Sequence, residues 1–181
     1  MNQQRPVRRI VTGQNEHGHS RIVEDGILSG LTVAERPGFC ATSVWATEGT
    51  PAPINGPDIV GSLKGIQPPR SGTVLRVVDF PPELKNTQER ARALKSVFGK
   101  LFKDADHKPA PGQHPGMHRT MTIDYAILLS GEMVAVMEQG EVIMRAGDVL
   151  IQRGTNHAWS NRSGRPARMA FILIDGKTSA T

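Results

Sequence analysis

The second half of the chain is a succession of short apolar segments, each stopped by a glycine-bearing turn. After residue 117 run MTIDYAILL, MVAVME, EVIM, VLIQ, HAWSN and ARMAFILID, separated by Ser130-Gly131, Gln139-Gly140, Ala146-Gly147, Gly154 and the stretch from Arg162 to Pro166. Six strands of this length leave room for little except an antiparallel sandwich or barrel. Apart from one amphipathic stretch considered below, no comparable helical period competes with them.

The first half is more mixed. RRIVTG and RIVEDG flank the polar connection QNEHGHS and predict a hairpin, while CATSVWAT and TVLRVVDF predict two further strands, the latter stopped by Pro81-Pro82. Residues 48 to 72 are rich in Pro and Gly, without periodicity, and predict a long loop of the kind that often covers a binding site. ELKNTQERARALKSVFGKLF carries apolar residues at 91, 94, 97, 98 and 101, and predicts a helix capped by Thr87 and fraying at Gly99. The expected organisation is one domain: residues 1–110 as an N-terminal strand arm, loop and helix, and residues 111–176 as the core.

The stretch between helix and strands carries a specific spacing. Gly112, His118, Thr120, Asp124 and Gly131 are followed by Gly147, Gly154, His157 and Asn161. This pattern resembles the two motifs of the cupin superfamily. The resemblance implies an all-β, double-stranded β-helix (jelly-roll) barrel enclosing a ligand cavity. It also implies one divalent metal (Fe, Zn, Mn or Ni), held in the family by three His and a Glu. Here the second His is Thr120, the Glu is Asp124, the proline of the second motif is Gln152, and the preceding spacer is one residue short. The metal motif is therefore degenerate, and both a metal-bound and a metal-free site follow from it.

Alternate residues of a strand share a face, so His118, Thr120, Thr122 and Asp124 are expected to point together into the barrel. Polar groups are costly there unless satisfied by one another, by a ligand, by water or by metal. With His157 across the cavity, His118, Asp124 and His157 form a two-His, one-carboxylate set. That set suits a divalent metal such as non-haem Fe(II), and equally suits metal-free acid–base work on a small metabolite. Packing of His118 against Asp124 in a plain core is the purely structural alternative. Thr120 and Trp159 are expected on the cavity wall, Trp45 as a wall from the other sheet, and Arg76, alone in an apolar strand, as an anchor for a substrate carboxylate. His114 is a possible replacement ligand on a loop, and Tyr125, of opposite parity, is expected outside.

Three functions follow: a lyase, dehydratase, decarboxylase or isomerase acting on an anionic or carbonyl-bearing metabolite by proton transfer; a metal-dependent oxygenase; or a non-catalytic small-molecule binder. No glycine-rich phosphate loop supports a nucleotide. The formal charge of +5 is scattered without aromatic interleaving, which argues against nucleic acid, and no run reaches membrane-span length. The basic start without an apolar stretch and the single Cys40, expected as a small buried hydrophobe, predict a cytoplasmic protein. The strand arm, with exposed edges, predicts a homodimer.

Overall fold

The computed structural model describes residues 5–178; positions 1–4 of the expected arm and 179–181 lie outside the described residues. The elements are β1 (Arg8–Gln14), β2 (Ser20–Ile27), β3 (Cys40–Thr47), β4 (Thr73–Phe80), α1 (Thr87–Lys100), β5 (Thr122–Ser130), β6 (Glu132–Met137), β7 (Glu141–Arg145), β8 (Val149–Arg153), β9 (His157–Ser160) and β10 (Ala167–Asp175), with a 3₁₀ turn at Val60–Ser62. All six expected C-terminal strands form. Strands β3-β4-β10-β5-β8 make one antiparallel sheet and β7-β6-β9 a second, and together they give the jelly-roll architecture.

Strict alternation builds the large sheet. In β4 the even positions Val74, Arg76, Val78 and Phe80 are buried, and in β5 Thr122, Asp124, Ala126 and Leu128 are buried while Ile123 and Tyr125 face out. The β5–β6 turn depends on Gly131, whose φ is 83°; a Cβ there would lie 2.8 Å from Pro166 O and 2.9 Å from Ala167 Cα. Asn161, fully buried, closes the β9–β10 turn by donating to Phe80 O and Arg165 O.

The helix forms where its period predicts, but its cap differs. Asn86, not Thr87, accepts from the amides of Gln88 and Glu89, and Gly99 lies inside the last turn. A β-region Asn side chain reaches two free amides of the first turn, so it displaces Thr87 from that role. The buried face, Ala93, Leu94, Val97 and Phe98, closes one mouth of the barrel. The outer face is tied to the segment before β3, where Glu35 accepts from Ser96 Oγ (2.8 Å) and Lys100 Nζ (2.6 Å).

Residues 48–72 run without strand, and Ile59, Val60, Leu63 and Ile66 pack onto the core. This segment is fastened by Asp104, which accepts from the amides of Ile66 (2.7 Å) and Gln67 (2.9 Å). Strands β1 and β2 pair only with each other in sheet terms. Cys40 is half-buried rather than buried, with Sγ 3.8 Å from Thr42 Oγ1.

Candidate active site

The cavity lies between the two sheets, with a volume of about 70 Å³. Its polar lining comes from strand parity and one cross-sheet bridge. His118 and His157 pair as an isolated antiparallel bridge, His118 N donating to His157 O (2.9 Å) and His157 N to His118 O (3.0 Å). That pairing presents both imidazoles side by side, with ring centroids 4.3 Å apart. Asp124 enters from β5 and Arg76 from β4, and all four side chains are at least nine-tenths buried.

Each imidazole is held by its Nδ1 edge. His118 Nδ1 lies 2.9 Å from Gly116 O; a carbonyl only accepts, so the ring proton sits on Nδ1 and Nε2 carries a lone pair. His157 Nδ1 lies 2.9 Å from Gln152 Nε2 and 3.0 Å from Thr155 O, two neighbours that demand opposite protonation. The Gln152 amide nitrogen also lies 2.7 Å from Thr155 O and 2.5 Å from Thr155 Oγ1, so its two hydrogens have three acceptors within reach and either nitrogen of His157 can carry the ring proton. The pair thus offers the cavity the lone pair of His118 Nε2 beside the Nε2 edge of His157. Burial holds both rings neutral at ordinary pH: desolvation, reinforced by the neighbouring His157, pulls His118 down to about 3, and desolvation pulls His157 down to about 4 against the hydrogen bond at Thr155.

Asp124 is the opposite case. Its Oδ1 is buried with no hydrogen-bond partner. Desolvation pushes the carboxyl up to about 6, partly opposed by a hydrogen bond from Thr122. Thr120 Oγ1 is 2.7 Å from Thr122 Oγ1. Thr120 is therefore turned along the strand toward Thr122, and the cavity wall does not include it, contrary to its expected contact with substrate.

Trp159 stands on the wall as expected, edge-on to His157 at 5.6 Å and to Phe171 at 5.3 Å. Trp45 does not. The β3–β4 register slips between Ser43 and Trp45, so the alternation reverses there and Trp45 faces away, with Arg9 Cζ 5.7 Å from its ring centroid. Tyr125 is outside, 42% exposed. His114 is not a spare ligand: its Nε2 lies 2.6 Å from Glu83 Oε1, while Gly116 N donates to its Nδ1.

Several site features carry no motif in the sequence. Gln152, where the family pattern has proline, brings its amide nitrogen to 2.9 Å from His157 Nδ1. Arg36, 8% exposed, reaches the cavity from the loop before β3, with Cζ 4.9 Å from the Phe39 centroid. Phe98 sandwiches between His107 (4.0 Å, stacked) and His118 (4.7 Å). Only the apolar period of α1 hinted at Phe98; the others depend on long-range packing.

The donor set was tested against a divalent metal. Among the described residues no three His, Cys, Asp or Glu side chains come together as a metal-holding group. Two imidazoles converge, the second histidine of the family pattern is a threonine bonded to its neighbour, and Asp124 does not complete a triad with the imidazoles. The residues present do not fit the metal, and no step below runs through one.

Residues 107–174 match the family model described as a cupin domain. The cupin-domain-containing oxidoreductase srdD of Neurospora crassa is 28% identical over 180 residues, covering 96% of this chain and 77% of that protein. The phomopsin biosynthesis cluster protein C' of Diaporthe leptostromiformis is 48% identical over 69 residues, covering 37% of this chain and 36% of that protein. Among solved structures, the Cnp3 cupin domain of Schizosaccharomyces pombe aligns with a TM-score of 0.43 at 12% identity, covering 94% of this chain and 83% of that chain.

Proposed function

The chain carries a cupin domain over residues 107–174, and on that premise we propose that it is a small-molecule enzyme that moves a proton on an anionic, carbonyl-bearing metabolite held in the barrel. One observation carries this reading: Asp124 keeps an unpartnered carboxylate oxygen inside the cavity, with its ionisation displaced to about 6. A structural carboxylate would be paired, whereas a base working near neutrality benefits from a raised pKa and a free oxygen.

The arrangement supports a specific division of labour. Asp124 takes a proton from the carbon beside the carbonyl. The bonding electron pair moves onto the carbonyl oxygen, and His157 Nε2–H donates a hydrogen bond to that oxygen. His118 Nε2 accepts from a substrate hydroxyl. Arg76, whose Nη1 is buried without a partner, holds the carboxylate. Enolisation of this kind is the shared first step of isomerisation, elimination of water and some decarboxylations, so it covers the lyase, dehydratase, decarboxylase and isomerase alternatives together.

A second reading is favoured by the alignment with a relative named as an oxidoreductase over nearly the whole chain. That chemistry requires a separate hydride or electron acceptor, and these residues would contribute only the base that takes the substrate's hydroxyl proton. A pure binding protein is the third alternative. The test is exchange of solvent deuterium into the carbon next to the carbonyl of an α-keto acid, with phenylpyruvate as the probe, followed by NMR. Exchange catalysed by the protein and lost in Asp124→Asn supports proton transfer. Equal exchange rates with and without protein overturn it.

We further propose that the protein works as a homodimer. The β1–β2 hairpin exposes Ile10, Ile22, Val23 and Ile27, and an isolated hairpin is marginal in water. The outer face of β5 and β8 exposes Ile123, Tyr125, Leu129, Val149 and Ile151, with Tyr125 directly opposite Ile151. Each surface gives the other apolar cover across two copies. Light scattering at micromolar concentration should report a dimer that Ile22→Asp together with Ile27→Asp dissociates; a monomeric wild type would refute it.

A further inference from the structure

The chain has five phenylalanines, and all five, Phe39, Phe80, Phe98, Phe102 and Phe171, line this one cavity. They meet edge to face: Phe39 with Phe80 at 5.8 Å, Phe39 with Phe102 at 6.4 Å, Phe80 with Phe171 at 6.3 Å. Trp159 continues the series beside Phe171. In a chain only 4% aromatic, this concentration gives the hollow a wall of ring faces and edges. Such a wall receives a further planar ring in edge-to-face contact, and offers few hydrogen bonds to a sugar or a phosphate.

Two guanidiniums enter the same aromatic box, and no carboxylate answers either. Arg76, 4% exposed, donates through Nε to Ser43 Oγ (3.1 Å) and through Nη2 to Gly65 O, and its Nη1 is buried without a partner. Its nearest electrostatic counter-charge is Asp104, whose oxygens are taken by the amides of Ile66 and Gln67. Arg36, 8% exposed, rests over Phe39 and Phe80, and among the described residues no side chain or carbonyl hydrogen-bonds its guanidinium. Glu83 attracts it at longer range but is committed to His114 and Arg90. Burial lowers both arginines to about 10, so both stay charged at neutral pH. The one carboxylate on the wall, Asp124, hydrogen-bonds neither guanidinium. A largely desolvated cation without a paired counter-ion is expensive; Arg76 Nη1 is sealed without a partner while the Arg36 nitrogens retain some solvent contact, and a bound anion would satisfy both.

We infer that Arg36 is a second ligand-binding residue, and that the ligand is a monocyclic aromatic carboxylate: a single ring against the phenylalanines, with its carboxylate held by the arginines. A volume of about 70 Å³ limits the ligand to a single ring, and being about half the roughly 150 Å³ of a dry cavity that holds benzene, it requires the wall side chains to give on binding. This deepens the reading above, since it names the substrate class of the same site, and it does not depend on the proton-transfer step.

The experiment is calorimetric titration of the full chain with benzoate, benzyl alcohol, cyclohexanecarboxylate and acetate. Benzoate is expected to bind about tenfold or more tighter than benzyl alcohol, which lacks the charge, and than acetate, which lacks the ring. Cyclohexanecarboxylate is expected between them. Arg36→Met should weaken benzoate by about tenfold and leave benzyl alcohol unchanged, and Arg36→Lys should recover part of the loss. Equal affinities for benzoate and benzyl alcohol, or benzoate binding untouched in Arg36→Met, overturn the inference. Should Arg36→Met fail to fold, the wild-type series and Arg36→Lys decide it alone. Asp124→Asn separates the two proposals: benzoate binding kept while deuterium exchange is lost upholds both. Failed benzoate selectivity with exchange intact refutes only the ligand class.

Discussion

His118 and His157 are joined twice over, by a reciprocal pair of backbone hydrogen bonds of 2.9 and 3.0 Å and by imidazole rings 4.3 Å apart. Because the backbone bridge fixes both Cα positions, the rings stay together whether or not a ligand is present. Their Nδ1 atoms face the wall, so the two Nε2 atoms are the chemically free edges. This sets an acceptor, His118 Nε2, beside a second imidazole in a largely apolar hollow.

The buried neutral imidazoles make the fold acid-sensitive in a defined window. Both have folded pKa values below the unfolded value of 6.5, at about 3 and about 4, so the unfolded chain binds more protons as the pH falls below 6.5 and stability drops. Asp124 runs the other way: raised from 3.8 to about 6, it favours the folded state as it protonates in the same range. Between pH 6 and 4 the two histidines oppose one aspartate. Denaturant melts across this range should show Asp124→Asn losing stability on acidification about twice as steeply as wild type, at these three sites, while gaining about 3 kcal/mol at pH 7. Parallel curves would show that Asp124 does not titrate as described.

Under the proposed reaction, the same carboxyl governs the pH dependence of the rate. If Asp124 is the base, kcat/KM for deuterium exchange rises through about pH 6 and levels above it. Asp124→Asn should lose about 100-fold or more, with KM changed far less. A rate flat from pH 5 to 7 would remove Asp124 from the reaction.

A further histidine, His114, pairs with Glu83 outside the cavity wall. His114 and Glu83 are each 9% exposed in their side chains and lie 2.6 Å apart, and Glu83 also pairs with Arg90 of α1 at 3.2 Å. The cluster ties the loop before β5 to the segment entering the helix that closes the barrel. His114→Ala should cost about 2 kcal/mol in denaturant melts by leaving Glu83 short of a partner. A loss below about 0.5 kcal/mol would show the contact to be ornamental.

The two tryptophans report different places. Trp159 is 9% exposed on the cavity wall, whereas Trp45 packs under Arg9 and the 52–59 loop. Benzoate should change the fluorescence of Trp45→Phe, which retains Trp159, and leave Trp159→Phe silent. The reverse pattern would put the ligand outside the barrel.

Much of this was legible in the chain because it follows from local rules. The strand parity of His118, Thr120, Thr122 and Asp124 placed all four inward, and the parity of Tyr125 placed it outside. Arg76, isolated between Val74 and Val78, proved buried for the same reason. Local rules failed where the backbone broke its own period. Trp45 was expected inward, but the bulge after Ser43 turns it out, and a bulge has no dependable sequence mark. Thr120 faces inward yet binds Thr122 instead of the cavity, a choice of rotamer and partner that spacing does not encode.

The sequence by itself determined the strands, their faces and the histidines that meet across the barrel, because a period of two and a pair of spaced motifs are properties of neighbouring residues. Only the tertiary structure decided what those groups can do. The tautomer of His118 comes from Gly116, the raised carboxyl of Asp124 from desolvation, and the gathering of five phenylalanines around Arg36 and Arg76 from loops, a helix and two strands. Burial and long-range contact set those properties, and neither exists until the chain has closed on itself.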